Sequence, residues 1–278
     1  MKVCVIGTGT MGNGISTLFA TKGHDVAIFS SRPSSVERGI NTITASTEKM
    51  VAKGKMTEET AKEILSHIKA GTNRDYEDAD LVVESAIEKL ELKKSLFKQL
   101  DENCGEKTIL ATNTSSLSVT DIAVGLHHQV VGMHFFNPVH AMQLVEVIAG
   151  LSTSRETVEW IKDLAVQLGK TPVEVEDSAG FVVNRVLIPM INEAIFVLSE
   201  GVASAEDIDV SMKLGANHPM GPLALSDLIG NDVVLHICEV LQAETGDDKY
   251  RPCPLLRKMV RAGLLGRKTG KGFFEYNK

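Results

Sequence analysis

The sequence has little of what marks secreted, metal-binding or nucleic-acid-binding proteins. Only four of its 278 residues are cysteines, at positions 4, 104, 238 and 253, and they form no C-x-x-C pair and have no histidine at ligand spacing. We therefore expect no disulfide framework, no metal site and a reducing compartment. The formal net charge is −7 and no long basic run occurs, so we expect no nucleic-acid partner.

Long apolar runs are also missing. The most apolar long stretch, residues 181–198, contains Asn184, Arg185, Asn192 and Glu193, so it predicts a buried helix and not a membrane span. A strand is predicted already at residues 3–6, which leaves no room for a signal peptide. We expect a cytoplasmic protein that does not contact a membrane.

The start of the chain carries a glycine cluster between an apolar strand and an amphipathic helix. Gly7, Gly9 and Gly12 form the pattern G-x-G-x-x-G, and a second strand follows the helix at residues 26–29. In such a unit the first glycine permits a tight turn, the second lets a pyrophosphate approach the backbone, and the third allows close helix–strand packing. The helix N-terminus adds unpaired N–H groups. The pattern predicts dinucleotide binding by Gly7, Gly9, Thr10, Met11 and Gly12.

Strand-like runs alternate with helix-length segments through the first 175 residues. The runs are residues 3–6, 26–29, 81–84, 108–111, 130–133, 144–148 and 173–175. This alternation predicts an α/β domain of the Rossmann type, with a mostly parallel sheet and helices on both faces. The late strands, from Leu144 on, are where the parallel order could break.

Two helical regions complete the predicted architecture. Residues 34–70 predict a helical hairpin inserted after the second strand, with a break near Gly54. After residue 178 the strand signals stop, and helices are predicted at residues 181–200, 205–214, 223–244 and 254–262. We therefore predict a Rossmann domain over residues 1–178 and a smaller all-helical domain over residues 179–278.

Lysines on the hairpin have two interpretations. Lys49, Lys53 and Lys55 could form the solvated face of two structural helices, or a clamp for a phosphorylated substrate.

Two further segments follow predicted strands, where ligands bind in open α/β sheets. His134 ends one strand, and Glu146, in the next strand, could reach its imidazole and favour its protonated form. The hydroxyl-rich residues 112–116 could hold a polar ligand. A structural histidine and a helix N-cap at Ser116 or Ser118 are the simpler alternatives.

In combination these segments closely resemble the 3-hydroxyacyl-CoA dehydrogenase family. The resemblance extends over nearly the whole chain and lies in residues 7–12 (GTGTMG), 111–116 (ATNTSS), 134–138 (HFFNP), 144–147 (LVEV), 177–185 (DSAGFVVNR), 221–222 (GP) and 268–274 (KTGKGFF). It is greatest to the bacterial members that act on 3-hydroxybutyryl-CoA. It implies reversible hydride transfer between a nicotinamide cofactor and a 3-hydroxyacyl-CoA or 3-ketoacyl-CoA, and a homodimer formed through the helical domain.

The resemblance also implies roles for individual residues. His134 matches the family's catalytic histidine and Glu146 its orienting carboxylate. Ser115 matches the serine that contacts the substrate oxygen, and Asn184 the asparagine that reaches the site from the helical domain. The residues expected along the nicotinamide and ribose are Glu84, Lys89 and Asn113, and those expected near the CoA nucleotide are Lys49, Lys53 and Lys55.

The end of the second strand departs from the usual NAD-binding pattern. A carboxylate about 20 residues beyond the glycines normally bonds the ribose 2′-OH, but this chain has Ser30, Ser31 and Arg32 there. Two hydroxyls and a guanidinium are suited to a 2′-phosphate. We therefore predict a preference for NADP(H). NAD(H) is the alternative, with Ser30 capping the turn and Arg32 solvated.

Three other functions remain open at this stage. The chain could be a 3-hydroxyacyl-CoA dehydrogenase of fatty-acid β-oxidation that accepts longer acyl chains and uses NAD. It could act on free β-hydroxy acids, although relatives of that kind use a lysine base and lack His-Phe-Phe-Asn-Pro. It could also be a catalytically silent, crystallin-like protein, since a fold does not guarantee activity.

Overall fold

The computed structural model describes residues 1–276 and divides the chain into two compact units, one ending at Ser178 and the other beginning at Ala179. The first unit contains an eight-stranded sheet. Its strands are β1 Lys2–Ile6, β2 Asp25–Phe29, β3 Ile68–Ala70, β4 Leu81–Glu84, β5 Ile109–Thr112, β6 Val130–Phe135, β7 Leu144–Ala149 and β8 Thr171–Glu176. The helices of this unit are α1 Thr10–Thr21, α2 Pro33–Ala52, α3 Glu58–Ser66, α4 Asn73–Glu77, α5 Leu90–Asn103, α6 Val119–Ala123 and α7 Arg155–Gln167.

The sheet has the order β3-β2-β1-β4-β5-β6-β7-β8. All neighbouring strands are parallel except β6 and β7, which are antiparallel. The Rossmann-type α/β prediction is confirmed, and the break in parallel order does occur at the strand that begins with Leu144. Because parallel strands end at a common edge, the loops after β1, β2, β4 and β5 lie along one side of the sheet.

Alternate residues of each strand point to opposite faces. Val3 and Val5 belong to the core that the sheet shares with α1, α2, α3 and α7, whereas Cys4 between them is equally buried but lies outside that core. In β6, Met133 and Phe135 face this core. His134 between them therefore faces the other side of the sheet.

The predicted hairpin of residues 34–70 is correct in its two helices, α2 and α3, but wrong at its end. Residues Ile68–Ala70 form strand β3, which extends the sheet beside β2 with Val26 opposite Ile68. The strand has three residues and includes the charged Lys69. A run this short is too brief to show alternation in sequence, and pairing with β2 is what makes it a strand.

The second unit is all-helical, with α8 Val183–Ser199, α9 Ala205–Gly215, α10 Pro222–Ile229, α11 Asn231–Thr245 and α12 Pro254–Arg261. The single helix predicted over residues 223–244 is wrong, because Gly230 has φ +107° and separates α10 from α11. Next to this break, Asp227 accepts hydrogen bonds from the backbone N–H groups of Phe273 (3.0 Å) and Phe274 (2.9 Å). The break lies where α10 receives the closing segment of the chain.

The structure also bears on membranes and metals. None of the described helices combines the length and the apolar character needed to cross a bilayer. Within residues 1–276, no three His, Cys, Asp or Glu side chains are arranged to hold a metal ion. The cysteines at positions 4, 104, 238 and 253 are unpaired.

Candidate active site

The glycine turn after β1 is so tightly packed that side chains are excluded from it. The N–H of Gly7 donates to the carbonyl of Phe29 (2.9 Å), and its φ is +120°. A Cβ on Gly7 would lie 2.2 Å from the carbonyl oxygen of Ser85, and one on Gly12 would lie 2.0 Å from that of Gly7. Helix α1 therefore begins directly against the turn, as dinucleotide binding requires.

The N-terminus of α1 can accommodate an anion. Gly9 is its N-cap, no side chain caps the helix, and a Cβ on Gly9 would have no atom of the protein within 4 Å. The first N–H groups of the helix, near the exposed Thr10 and the half-buried Met11, thus lack a side-chain acceptor. Backbone donors at a helix N-terminus, beside a glycine that leaves space, fit the pyrophosphate of a dinucleotide.

A groove of about 690 Å³ extends from this turn to the end of β2. Its floor includes the stacked rings of Phe29 and Tyr76, whose centroids are 4.0 Å apart. Ser30 and Ser31 line it, and the exposed Arg32 follows them as the N-cap of α2. The described lining residues include no aspartate or glutamate. The groove therefore offers hydroxyls, and no carboxylate, where a ribose 2′ substituent would be recognised.

His134 and Glu146 form a hydrogen-bonded pair across the antiparallel strands. They lie directly opposite each other in the β6–β7 register, and His134 Nδ1 is 2.8 Å from Glu146 Oε2. His134 is 5% exposed and Glu146 is fully buried. An ionised carboxylate can only accept, so Nδ1 carries a proton and donates to Oε2. The ring of Phe136 lies 4.5 Å from the imidazole, centroid to centroid.

The loop after β5 lies beside the strand of His134. The backbone N–H of Phe135 donates to Asn113 Oδ1 (2.8 Å), which fixes the loop to the residue that follows His134. Two residues further, Ser115 donates to Glu88 Oε1 through its backbone N–H (2.8 Å) and its hydroxyl (3.3 Å). The sheet therefore brings Asn113 and the hydroxyl-rich segment close to the strand of His134.

A buried charge network under this loop was not foreseen. The Lys93 ammonium is 2.6 and 2.7 Å from the two carboxylate oxygens of Glu84 and 3.3 Å from Glu88 Oε2. Lys93 is 1% exposed and Glu84 is fully buried. The Thr112 hydroxyl also donates to Glu84 (2.7 Å). Glu84 thus holds Lys93 and the end of β5. Its contact with a nicotinamide cofactor stays a prediction.

Glu88 is the member of this network that reaches the loop after β5, whose residues 113–116 are called the serine loop. Burial alone would raise the pKa of its carboxyl, but the Lys93 ammonium and the hydrogen bonds from Thr114 and Ser115 hold that pKa below its ordinary value. Glu88 is therefore a carboxylate at neutral pH. The neighbouring Lys89, for which a cofactor contact was predicted, is exposed at the N-cap of α5 and has no ion-pair partner among residues 1–276.

A signal for Lys93 was present in the sequence. Lys93 shares the buried face of α5 with Phe97 and Leu100, at helical spacings of four and seven residues. A lysine on an apolar helix face is rarely fully buried unless it is paired, and a glutamate ends the preceding apolar strand.

The remaining predicted site residues lie elsewhere. Lys49, Lys53 and Lys55 are exposed around the turn between α2 and α3, and none has an ion-pair partner in the described chain. Asn184 is half-buried in the first turn of α8, in the second unit.

Comparison with known proteins agrees with this geometry. The family profile described as "3-hydroxyacyl-CoA dehydrogenase, NAD binding domain" matches residues 2–178, and that described as "3-hydroxyacyl-CoA dehydrogenase, C-terminal domain" matches residues 180–276. The chain is 55% identical to a 3-hydroxybutyryl-CoA dehydrogenase of Clostridioides difficile, over 100% of both chains. It is 50% identical to a probable 3-hydroxybutyryl-CoA dehydrogenase of Bacillus subtilis, over 99% of this chain and 97% of that protein.

A solved structure is similar over the same extent. The (S)-3-hydroxybutyryl-CoA dehydrogenase of Ralstonia eutropha superposes with a TM-score of 0.93 at 48% identity, over 99% of each chain. Both halves of the chain thus match one family in sequence, and its full length matches in structure. The chain belongs to the 3-hydroxyacyl-CoA dehydrogenase family.

Proposed function

We propose that this protein is a 3-hydroxybutyryl-CoA dehydrogenase that interconverts acetoacetyl-CoA and 3-hydroxybutyryl-CoA. The observation that carries the proposal is the buried His134–Glu146 pair, on a sheet whose glycine turn fits a dinucleotide. Full-length identity of 50% and 55% to proteins of that name supports the substrate.

His134 acts as the acid and base. His134 Nδ1 donates to Glu146 Oε2 over 2.8 Å, so Nε2 is the ring atom that exchanges a proton with the substrate oxygen. In reduction the imidazolium donates its Nε2 proton to the forming alkoxide, and in oxidation Nε2 of the neutral ring removes the hydroxyl proton. The nicotinamide, when bound, supplies or accepts the hydride. The carboxylate of Glu146 stabilises the imidazolium, and Ser115 holds the reacting oxygen. The family resemblance implies the same role for Asn184.

The CoA nucleotide is proposed to bind at the hairpin. Lys49, Lys53 and Lys55 are three exposed cations near one turn, and ammonium groups bind phosphates by charge-assisted hydrogen bonds. An acyl-CoA is thus the proposed small-molecule partner. The unpaired cysteines and the similarity to bacterial proteins support a cytoplasmic location.

The preferred cofactor is proposed to be NADP(H). Ser30 and Ser31 line the groove between the glycine turn and β2, and Arg32 follows them in the chain. No aspartate or glutamate is among the described residues that line this groove. Charge-assisted hydrogen bonds to a 2′-phosphate contribute about 1.5–3 kcal/mol each, which corresponds to roughly ten- to hundredfold in affinity.

The cofactor proposal is tested by kcat/KM for NADPH and NADH with acetoacetyl-CoA. NADPH should be preferred, and a tenfold or greater preference for NADH would overturn the proposal. The double variant Ser30→Asp with Arg32→Ile should move the preference toward NADH, because it restores the acceptor for the 2′-OH and removes the cation.

The substrate proposal is tested by following cofactor absorbance at 340 nm with 3-ketoacyl-CoA thioesters of increasing length. Acetoacetyl-CoA should give the highest kcat/KM. A maximum at long chains would favour the β-oxidation enzyme, and turnover of free acetoacetate would favour a hydroxy-acid dehydrogenase. A protein that binds cofactor but turns over no thioester would be the crystallin-like alternative.

A homodimer through the helical unit is the proposed assembly. That unit exposes several large aliphatic side chains, among them Val186 (70% exposed), Val202 (69%) and Leu214 (81%). Burial of these side chains against a second copy of the chain would remove them from water. Light scattering at micromolar concentration should give twice the chain mass, and a monomer would contradict the proposal.

A further inference from the structure

Lys170 is a buried lysine that the proposed chemistry does not use. It lies between α7 and β8 and is 7% exposed. Its ammonium donates to the carbonyl oxygens of Val139 (2.6 Å) and Met142 (2.8 Å). Within residues 1–276 no carboxylate lies within ion-pair distance of it. Burying a charge is costly unless an opposite charge and hydrogen bonds replace the lost hydration. A buried cation held only by backbone carbonyls is therefore rare.

Keeping this charge buried is unfavourable for the lysine itself. Burial, and to a smaller extent the nearby Lys22, lower the pKa of Lys170. The two carbonyl contacts offset part of that cost, and they are made to one short segment. The ammonium therefore acts on the short segment that carries these two carbonyls.

That segment is the β6–β7 loop, defined here as residues 136–143, which joins the strand of His134 to the strand of Glu146. Its backbone turns on itself, since the N–H groups of Ala141 and Met142 both donate to the carbonyl of Pro138 (3.0 Å each). The Thr171 N–H, next to Lys170, donates to the carbonyl of Gln143 (2.8 Å). Lys170 and its neighbour thus fix the loop at three carbonyls.

The loop contacts both parts of the candidate site. Phe136, at its start, packs against the imidazole of His134. Val139 is 3% exposed and packs on α1, where a Cβ on Gly14 would lie 2.9 Å from its Cγ2. A displacement of the loop would therefore move the imidazole of His134 relative to α1, the helix that follows the glycine turn.

We propose that Lys170 is a positioning residue for proton transfer, acting through the β6–β7 loop to hold His134 in register with helix α1. The inference rests on the proposed role of His134 as acid and base. It concerns the alignment of groups already bound, so it affects turnover and leaves the binding of cofactor and thioester largely unchanged.

The test compares Lys170→Met with Lys22→Met. Methionine keeps most of the aliphatic stem and removes the donors. Lys22 is exposed, lies close enough to influence Lys170, and its ammonium makes no hydrogen bond with a described residue. With acetoacetyl-CoA and the preferred cofactor, Lys170→Met should lower kcat roughly ten- to hundredfold and change both KM values less than about threefold. Lys22→Met should match the wild type.

A second variant separates positioning from stability. Lys170→Gln keeps an N–H donor that can reach one carbonyl, so its kcat should lie between those of the wild type and Lys170→Met. If Lys170→Met yields too little folded protein by circular dichroism, Lys170→Gln decides alone, with at least a roughly fivefold loss of kcat expected at unchanged KM.

Failure of this inference can be distinguished from failure of the proposed function. Folded Lys170 variants with wild-type kcat, beside an inactive His134→Ala, would overturn the inference and leave the proposed function intact. A loss confined to KM would also overturn it. A wild-type protein that turns over no acyl-CoA would overturn both.

Discussion

The two ends of the candidate site are built in different ways. The cofactor end, after β1, is made of backbone: Gly7 and Gly12 fit only without a side chain, and α1 has no side-chain cap. The catalytic end, after β4 to β6, is made of side chains that hold one another, as in His134–Glu146 and Lys93 with its two glutamates. The cofactor end therefore depends on glycines that have no side chain, and the other end depends on side chains that pair with one another.

The two ends should respond to substitution in different ways. At the backbone end, an added methyl group either collides with the protein or occupies the space for the ligand. At the side-chain end, a substitution leaves a buried partner unsatisfied, which is costly even when the shape is preserved. Four experiments can break or sharpen this comparison.

The largest effect is expected for His134→Ala. Loss of a positioned acid and base should lower kcat by about 10²–10⁴, or roughly 3–5 kcal/mol of barrier. Cofactor affinity, measured by fluorescence titration, should be unchanged, because the backbone end is untouched. Half of the wild-type turnover under chemistry-limited conditions would show that His134 does not have this role.

Gly12→Ala and Gly9→Ala should separate folding from binding at the backbone end. A Cβ on Gly12 would lie 2.0 Å from the Gly7 carbonyl oxygen, so we expect a loss of stability of about 1–3 kcal/mol or more. Gly9 has open space and an extended backbone, so Gly9→Ala should keep the wild-type Tm while weakening cofactor binding. Equal Tm values for the two variants would contradict the assignment.

Glu88→Gln tests whether the buried charges support the serine loop. Glutamine preserves the shape but removes the charge that Lys93 and the loop N–H groups bind, so kcat should fall roughly tenfold. Glu91→Gln, an exposed substitution three residues later in the first turn of α5, is the matched control and should behave as the wild type. Equal kcat values for both variants would show that the charge of Glu88 does not support the serine loop.

The smallest effect is a pH dependence of stability. The pKa of Glu88 is lower in the folded protein than its ordinary value of 4.5, so its charge stabilises the fold above that pH. This contribution is lost as the pH falls through the folded-state pKa. Urea unfolding should show the wild type more stable than Glu88→Gln by about 1–3 kcal/mol at pH 7, and the gap should shrink below about pH 4. A gap of the same size in acid would exclude the charge as its cause.

The backbone end was readable from sequence because its requirements are local. Three glycines within six residues, between a strand and a helix, specify the turn wherever the rest of the chain lies. The alternation of strands and helices predicted the sheet in the same way. The exceptions were β3, which depends on pairing with β2, and the break at Gly230, which accompanies contacts between Asp227 and residues more than forty positions away.

The side-chain end was readable only in part. His134 and Glu146 could be matched because both lie in recognisable motifs, but their contact depends on antiparallel pairing that sequence left open. The cofactor contacts of Glu84 and Lys89 stay predictions, and the structure adds a buried lysine, Lys93, whose half-buried partner Glu88 binds the serine loop. Which of several nearby charges is buried depends on how α5 docks on the sheet. Residue type alone does not reveal this, and only the helical spacing of Lys93 to Phe97 and Leu100 indicates it.

The antiparallel return of β7 has a consequence for the order in which the site can assemble. It allows His134 to contact Glu146, only twelve positions later in the chain. By contrast, β1 pairs with β4 across a much longer stretch of chain, with Val3 opposite Leu81. Closing the longer loop costs roughly 1.5 kcal/mol more in chain entropy. The His134–Glu146 contact is thus among the most local in the candidate site. As the chain folds, these two residues can meet without the glycine turn in place.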